Sequence, residues 1–187
     1  MPVEFQWASL GIGITALVVA LWAVLRMIWG RPRLIAEFEN DAQNQHRSLM
    51  VFLKNQPVGW PVKGLGVTRD TIKSLTASFR ISEISRGTII PVIQAQIYSD
   101  SDDNDKGRGR ATLPPTYSVG ASIVVASWDI DNQRVVVPPS RTRTETVLPE
   151  GDYEAAILFM VDGQEKTFAR RFGVGQGADD LRWSTPR

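Results

Sequence analysis

The stretch YEAAILFMVDGQEKTFARRFGV, residues 153–174, decides the soluble fold. Tyr153 to Val161 is apolar on both faces, as a strand buried on two sides must be. Asp162-Gly163 is a strong type I′ turn signal, and Glu165 to Val174 brings the chain back with Phe168 and Phe172 pointing to a core. The spacing predicts an antiparallel hairpin.

Upstream of it the same grammar repeats. Leu34 to Glu39 looks like strand, and Ser48 to Lys54 (SLMVFLK) is apolar on both faces and so central. Leu75, Ala77, Phe79 and Ile81 alternate with Thr76, Ser78, Arg80 and Ser82, the pattern of a half-buried antiparallel strand. Thr88 to Tyr98 is longer, and its Pro91 calls for an edge position or a bulge. Tyr117 to Asp129 and Arg134 to Val137 flank a turn at Asp131-Asn132, and Pro138-Pro139 separate them from Thr142 to Leu148. About nine short strands and no soluble helix predict an all-β sandwich.

Leu148-Pro-Glu-Gly-Asp-Tyr153, followed by a hydrophobic strand and an Asp-Gly hairpin, resembles the E–F corner of immunoglobulin-like and fibronectin-III-like domains. The resemblance covers Thr142 to Val174, puts Tyr153 at the tyrosine-corner position and implies an immunoglobulin-like sandwich with Trp128 as a core tryptophan. The chain departs from that pattern in having no cysteine pair and in its greater length. Such a likeness implies architecture and leaves function open.

At the other end, Ala8 to Leu25 (ASLGIGITALVVALWAVL) carries no charge, and Ser9 and Thr15 are its only polar side chains. Extended past Arg26, whose stem can snorkel, to Trp29, the segment is about 33 Å long at 1.5 Å per residue. That length crosses a hydrocarbon core of about 30 Å once. Ser9, Gly13, Ala16, Ala20 and Ala23 recur at helical spacing and form a small-residue face, the kind through which helices dock in lipid. Trp7 and Trp29 mark the two membrane interfaces, with Arg26, Arg31 and Arg33 after the span. Glu4 and no Lys or Arg precede it, so the positive-inside rule puts the N-terminus outside and the domain in the cytoplasm of a bacterial-type inner membrane. A cleaved signal peptide is not expected, because a basic n-region and an A-x-A-like site are both missing. The expected plan is a short tail 1–7, a transmembrane helix 8–29, a linker 30–33, a membrane-apposed sandwich 34–174 and a C-terminal tail 175–187.

The residue inventory narrows the chemistry. With no cysteine and His46 as the only histidine, Cys/His zinc sites and Cys-His nucleophile pairs are excluded. A Ser-His-Asp triad would need His46, which lies in the polar stretch Asn40 to Arg47 and reads as a surface residue. The apolar helix has no histidine to ligate haem or chlorophyll, so no cofactor is expected and lipid or pigment would meet it through packing alone. A net charge of +1, with three arginines clustered after the span, leaves no basic field for nucleic acid.

Gly173-Val-Gly175-Gln-Gly177 precedes no helix, so it is read as a flexible lead into the tail rather than a dinucleotide fingerprint. Asp100, Asp102, Asp103 and Asp105 fail the EF-hand register, since counting from Asp102 puts Lys106 at position 5 and Leu113 at position 12. With Arg108 and Arg110 they form a solvated loop, 99–110, that could meet a partner electrostatically. Trp183, an aromatic residue with a polar edge, is a further candidate partner contact.

The expected function is a non-catalytic accessory subunit of a larger integral membrane complex, photosynthetic or respiratory by analogy. Its partners would be other membrane subunits and lipid, with a second copy of this chain also compatible with the small-residue face. The alternative is a tethered recognition module whose loops 55–66 and 99–110 bind a ligand or peptide. A hydrolytic enzyme is disfavoured by the residue inventory.

Overall fold

In the computed structural model, residues 3–41, 47–87, 89–99, 110–116, 118–139 and 144–184 are described. They form one N-terminal apolar helix and an antiparallel two-sheet β-sandwich. The helix α1 (Val3–Trp29) is followed by β1 (Leu34–Asp41), β2 (Ser48–Asn55), β3 (Ile72–Glu83), β4 (Ile89–Gln94), β5 (Tyr98–Ser99) and β6 (Ala111–Leu113). The chain continues through β7 (Ala121–Asp129), β8 (Arg134–Val137), β9 (Thr146–Leu148), β10 (Gly151–Val161), β11 (Gln164–Val174) and β12 (Arg182–Trp183). One sheet runs β1-β2-β7-β8-β9 with β5 also on β7, and the other runs β12-β11-β10-β3-β4 with β6 also on β3.

The hairpin forms at the expected place. Asp162 and Gly163 adopt φ of 47° and 84°, the left-handed pair that a type I′ turn requires, and Tyr153 faces Phe172 across the ladder. Tyr153, Ala155, Ile157, Phe159 and Val161 all turn inward, where they meet Leu49, Val51 and Leu53 of β2 and Leu75, Ala77, Phe79 and Ile81 of β3 in one continuous core. β2 is central, between β1 and β7, as its two-sided apolar pattern requires. Pro91 sits in edge strand β4 where the register to β3 shifts by one residue, so the missing N–H falls at a bulge on an edge. A second bulge opposite Leu49/Met50 breaks the alternation of β7 and lets both Val125 and Ala126 turn inward.

Several expectations are corrected. Trp128 is half-buried against the margin of the core rather than at its centre. The sandwich does not stop at 174: β12 pairs with β11, Phe172 facing Trp183, so the supposed tail belongs to the sheet as far as Trp183. The glycine run is a tight turn rather than a flexible lead. A Cβ on Gly175 would collide with the Asp180 side chain, whose Oδ2 accepts the Gly177 N–H at 3.1 Å. The strands exceed nine because β5, β6 and β12 are two- and three-residue pieces.

Strand ends sort the molecule into two poles. β1 begins opposite Asn55 at the end of β2, β7 begins opposite Leu53, and β3 begins opposite Leu113 at the end of β6. The Asp162 carboxylate accepts the Lys73 and Ser74 N–H groups there too. α1 enters at this pole. The opposite pole carries the Asp129–Arg134 turn and the β9–β10 corner.

Candidate interface and the joint that positions it

α1 has 27 residues, about 40 Å at 1.5 Å per residue, and Gly11–Trp29 is long and apolar enough to cross a membrane. None of that segment is buried by the rest of the chain. Gly13, Ala16, Ala20 and Ala23 are all exposed, so the small-residue face meets nothing of its own domain. Trp7 and Ser9 belong to the same helix, and their side chains lie outside the described residues. Thr15 donates its hydroxyl proton to the Gly11 carbonyl at 2.9 Å, which leaves no unsatisfied hydroxyl proton on this segment. Near its end, the Arg26 guanidinium lies 5.4 Å from the Trp22 ring centre.

The connection from helix to sandwich is a built joint. Gly30 is buried and its N–H bonds the Arg26 carbonyl; a Cβ there would overlap that oxygen, so only glycine turns the chain at this point. The Gly30 carbonyl accepts the Asp70 N–H at 2.7 Å, the Arg31 carbonyl accepts Arg69 Nη1 at 2.8 Å, and the Arg33 carbonyl accepts the Gln56 N–H at 2.9 Å. Asn55 closes the set. Fully buried, it accepts the Arg33 N–H on Oδ1 at 3.1 Å and donates from Nδ2 to the carbonyls of Asp70, at 2.9 Å, and Leu113, at 3.2 Å. One amide thereby ties the link, the 56–71 loop and β6 together.

Arg31, Arg33, Lys63 and Arg69 have no carboxylate within salt-bridge distance among the described residues. Arg69 Nε is buried without a hydrogen-bond partner. Burial, with the neighbouring Arg33 charge, lowers the Arg69 pKa from its usual high value. Trp29, Arg31 and Arg33 are all exposed at this end of the molecule.

Of the proposed partner loop, Asp100, Asp102, Asp103, Asp105 and Arg108 lie outside the described residues, as does His46. Its flanks are placed. Ser99 faces Ala121, and exposed Arg110 donates from Nε to Ser74 Oγ at 2.7 Å, so the loop leaves and re-enters at the helix pole. Among the described residues no three His, Cys, Asp or Glu side chains gather as a metal group.

Trp183 is corrected from a partner contact to an internal bolt. It is 6% exposed, its Nε1–H points to the carbonyls of Glu39 at 3.1 Å and Met50 at 3.4 Å, and its ring stands edge-on to Phe38 and Phe172. Phe172 in turn stacks on Tyr153, whose hydroxyl donates to the Pro149 carbonyl at 2.8 Å. Burial and the nearby Glu83 charge raise the Tyr153 pKa, which keeps that donor protonated. The joint residues Asn55, Arg69 and Asp70 escaped the sequence reading, because a lone Asn at a strand end and an Arg-Asp pair in a glycine-rich loop have no distinguishing period.

The fold and joint together define a sandwich hydrogen-bonded to the end of an exposed apolar helix. No protein-family model matches the chain, and no curated protein or solved structure shows significant similarity to it.

Proposed function

We propose that this protein is a non-catalytic, single-pass subunit of a larger integral membrane assembly, contributing assembly and bracing contacts. The joint carries this reading. Three link carbonyls and the Asn55 amide hold the sandwich to the end of α1. A stiff coupling of that kind suits a part that sets the spacing between larger neighbours. The exposed face of Gly13, Ala16 and Ala20 supplies the docking surface within the bilayer, because small residues let another helix backbone approach closely. An energy-transducing complex, photosynthetic or respiratory, is the setting suggested by analogy.

Arg26 in the last turn of α1, with Arg31 and Arg33 just after it, supports an orientation with the N-terminus outside and the sandwich in the cytoplasm of a bacterial-type inner membrane. The Tyr153 to Pro149 bond supports an immunoglobulin-like character for the sandwich. Substituting Gly13→Leu, Ala16→Leu and Ala20→Leu together fills the close-approach surface. Recovery of co-purifying membrane partners is then expected to fall by about tenfold, equivalent to about 1.4 kcal/mol of association energy. Unchanged recovery would count against helix docking and favour the tethered recognition module.

A further inference from the structure

Between Val58 and Val67, both buried, lies a segment with no buried residue that ends in a short 3-10 turn, Val62–Leu65. It presents Trp60, 87% exposed, and Leu65, 59% exposed. Two large apolar side chains projecting from one short loop are hard to explain in water, where they gain nothing from exposure. The loop is held firmly in shape. Lys63 N–H bonds the Gly59 carbonyl, Gly64 N–H bonds Pro61, and Gly66, at φ 73°, closes the turn by bonding Lys63.

Both ends of the loop are fastened where α1 ends, through Gln56 to Arg33 and Asp70 to Gly30. Only the short link 30–33 lies between them and the last helical turn. With α1 across a bilayer, the loop lies beside the headgroup layer, which is only about 5–8 Å deep per leaflet. Tryptophan partitions into that layer because its ring is apolar and its N–H stays wet. Basic groups accompany it, since Arg31, Arg33, Lys63 and Arg69 surround the same pole without a carboxylate in salt-bridge range among the described residues. These four cations have the charge to meet anionic lipid phosphates.

We propose that the 59–66 loop is a second membrane contact, with Trp60 and Leu65 seated in the interface of the bilayer that α1 crosses and the four basic residues pairing with anionic lipid headgroups. It rests on the reading of α1 as a membrane span. Together the helix and the loop fix the tilt of the sandwich about two points rather than one.

The chain has no cysteine, so single labels are clean. Full-length Leu65→Cys, Ile130→Cys and Leu17→Cys proteins, each carrying an environment-sensitive fluorophore, are reconstituted into phosphatidylcholine vesicles with and without phosphatidylglycerol. Nitroxide-lipid quenching is then read. Ile130 lies at the opposite pole and Leu17 within α1. Quenching at Leu65→Cys is expected to exceed that at Ile130→Cys several-fold, to weaken when phosphatidylglycerol is omitted, and to weaken again when Trp60→Ala is added. A water-exposed label at Leu65→Cys with Leu17→Cys quenched overturns the second contact while the span stands, and points to a protein occupant. An unquenched Leu17→Cys overturns the span and this proposal with it. Quenching indifferent to phosphatidylglycerol overturns the headgroup pairing.

Discussion

Replacing Trp183 by alanine is expected to lower the thermal midpoint of the sandwich by about 10 °C, the largest effect of any single truncation near the C-terminus. Deleting a buried tryptophan removes about 3–5 kcal/mol, and for a chain of this size each kcal/mol moves the midpoint by about 2–4 °C. The site explains why the loss falls at the high end. Trp183 joins the two sheets at their open edge: its indole N–H bonds Glu39 of β1, its backbone N–H bonds Asn40 Oδ1 at 3.0 Å, and β12 is hydrogen-bonded to β11. Its ring also completes a chain of aromatic contacts, with Phe38 at 5.0 Å, Phe172 at 5.6 Å, and Tyr153 stacked 5.4 Å beyond Phe172. Truncation opens a cavity between the sheets and strands two carbonyl groups. Trp183→Phe separates these effects, because it keeps the ring and loses the indole bonds. It should therefore lose only about 1–2 kcal/mol. Thermal unfolding of the full chain in detergent, followed by near-ultraviolet circular dichroism, checks both; a midpoint unchanged by Trp183→Ala would contradict the internal bolt.

Asn55→Asp is the second large change, and it acts on the joint rather than the core edge. The substitution preserves shape but removes both N–H donors, leaving a carboxylate against the carbonyl oxygens of Asp70 and Leu113 in a fully buried position. An uncompensated buried charge costs about 3–5 kcal/mol at neutral pH. The pH dependence has a definite sign. Burial without a cation raises the folded-state pKa of the new carboxyl above its unfolded value of about 3.9, so the protonated form is favoured by folding. The variant is thus closest to wild type below about pH 4 and loses stability as pH rises through the folded pKa. Thermal midpoints across this range test the sign, and limited trypsin digestion at Arg33 and Arg69 reports whether the joint has opened. A variant as stable as wild type at pH 7, with the same digestion pattern, would remove Asn55 from the joint.

These two residues also mark the limit of what the sequence made legible. Long periodic segments announced themselves: α1 through an uncharged apolar run, β3 through strict alternation, and the β10–β11 hairpin through its Asp-Gly turn. Each of those signals is local, because the period of the element is written in the residues that form it. β12 has two residues and β6 three, too few for any period, and both exist because a neighbouring strand offers a free edge. Trp183 therefore read as part of a polar terminus. Asn55 closes a run of strand residues, and its three hydrogen bonds reach groups 15, 22 and 58 positions away in the chain. No local pattern encodes such partners. The exposed small-residue stripe of α1 was readable because small residues at helical spacing are a local pattern too, whereas the exposure of Trp60 depends on how the loop is pinned at both ends.

The measurement that bears most directly on the protein's role is extraction of the untagged chain from its native membrane in mild detergent, followed by size separation, an absorption spectrum and mass spectrometry of the fractions. A bracing subunit with a rigid joint and an exposed docking helix runs in a large particle, at fixed ratio to the same integral membrane partners, and α1 substitutions at Gly13, Ala16 and Ala20 release it. A chain that runs alone, or only as a dimer of itself, would contradict the subunit assignment.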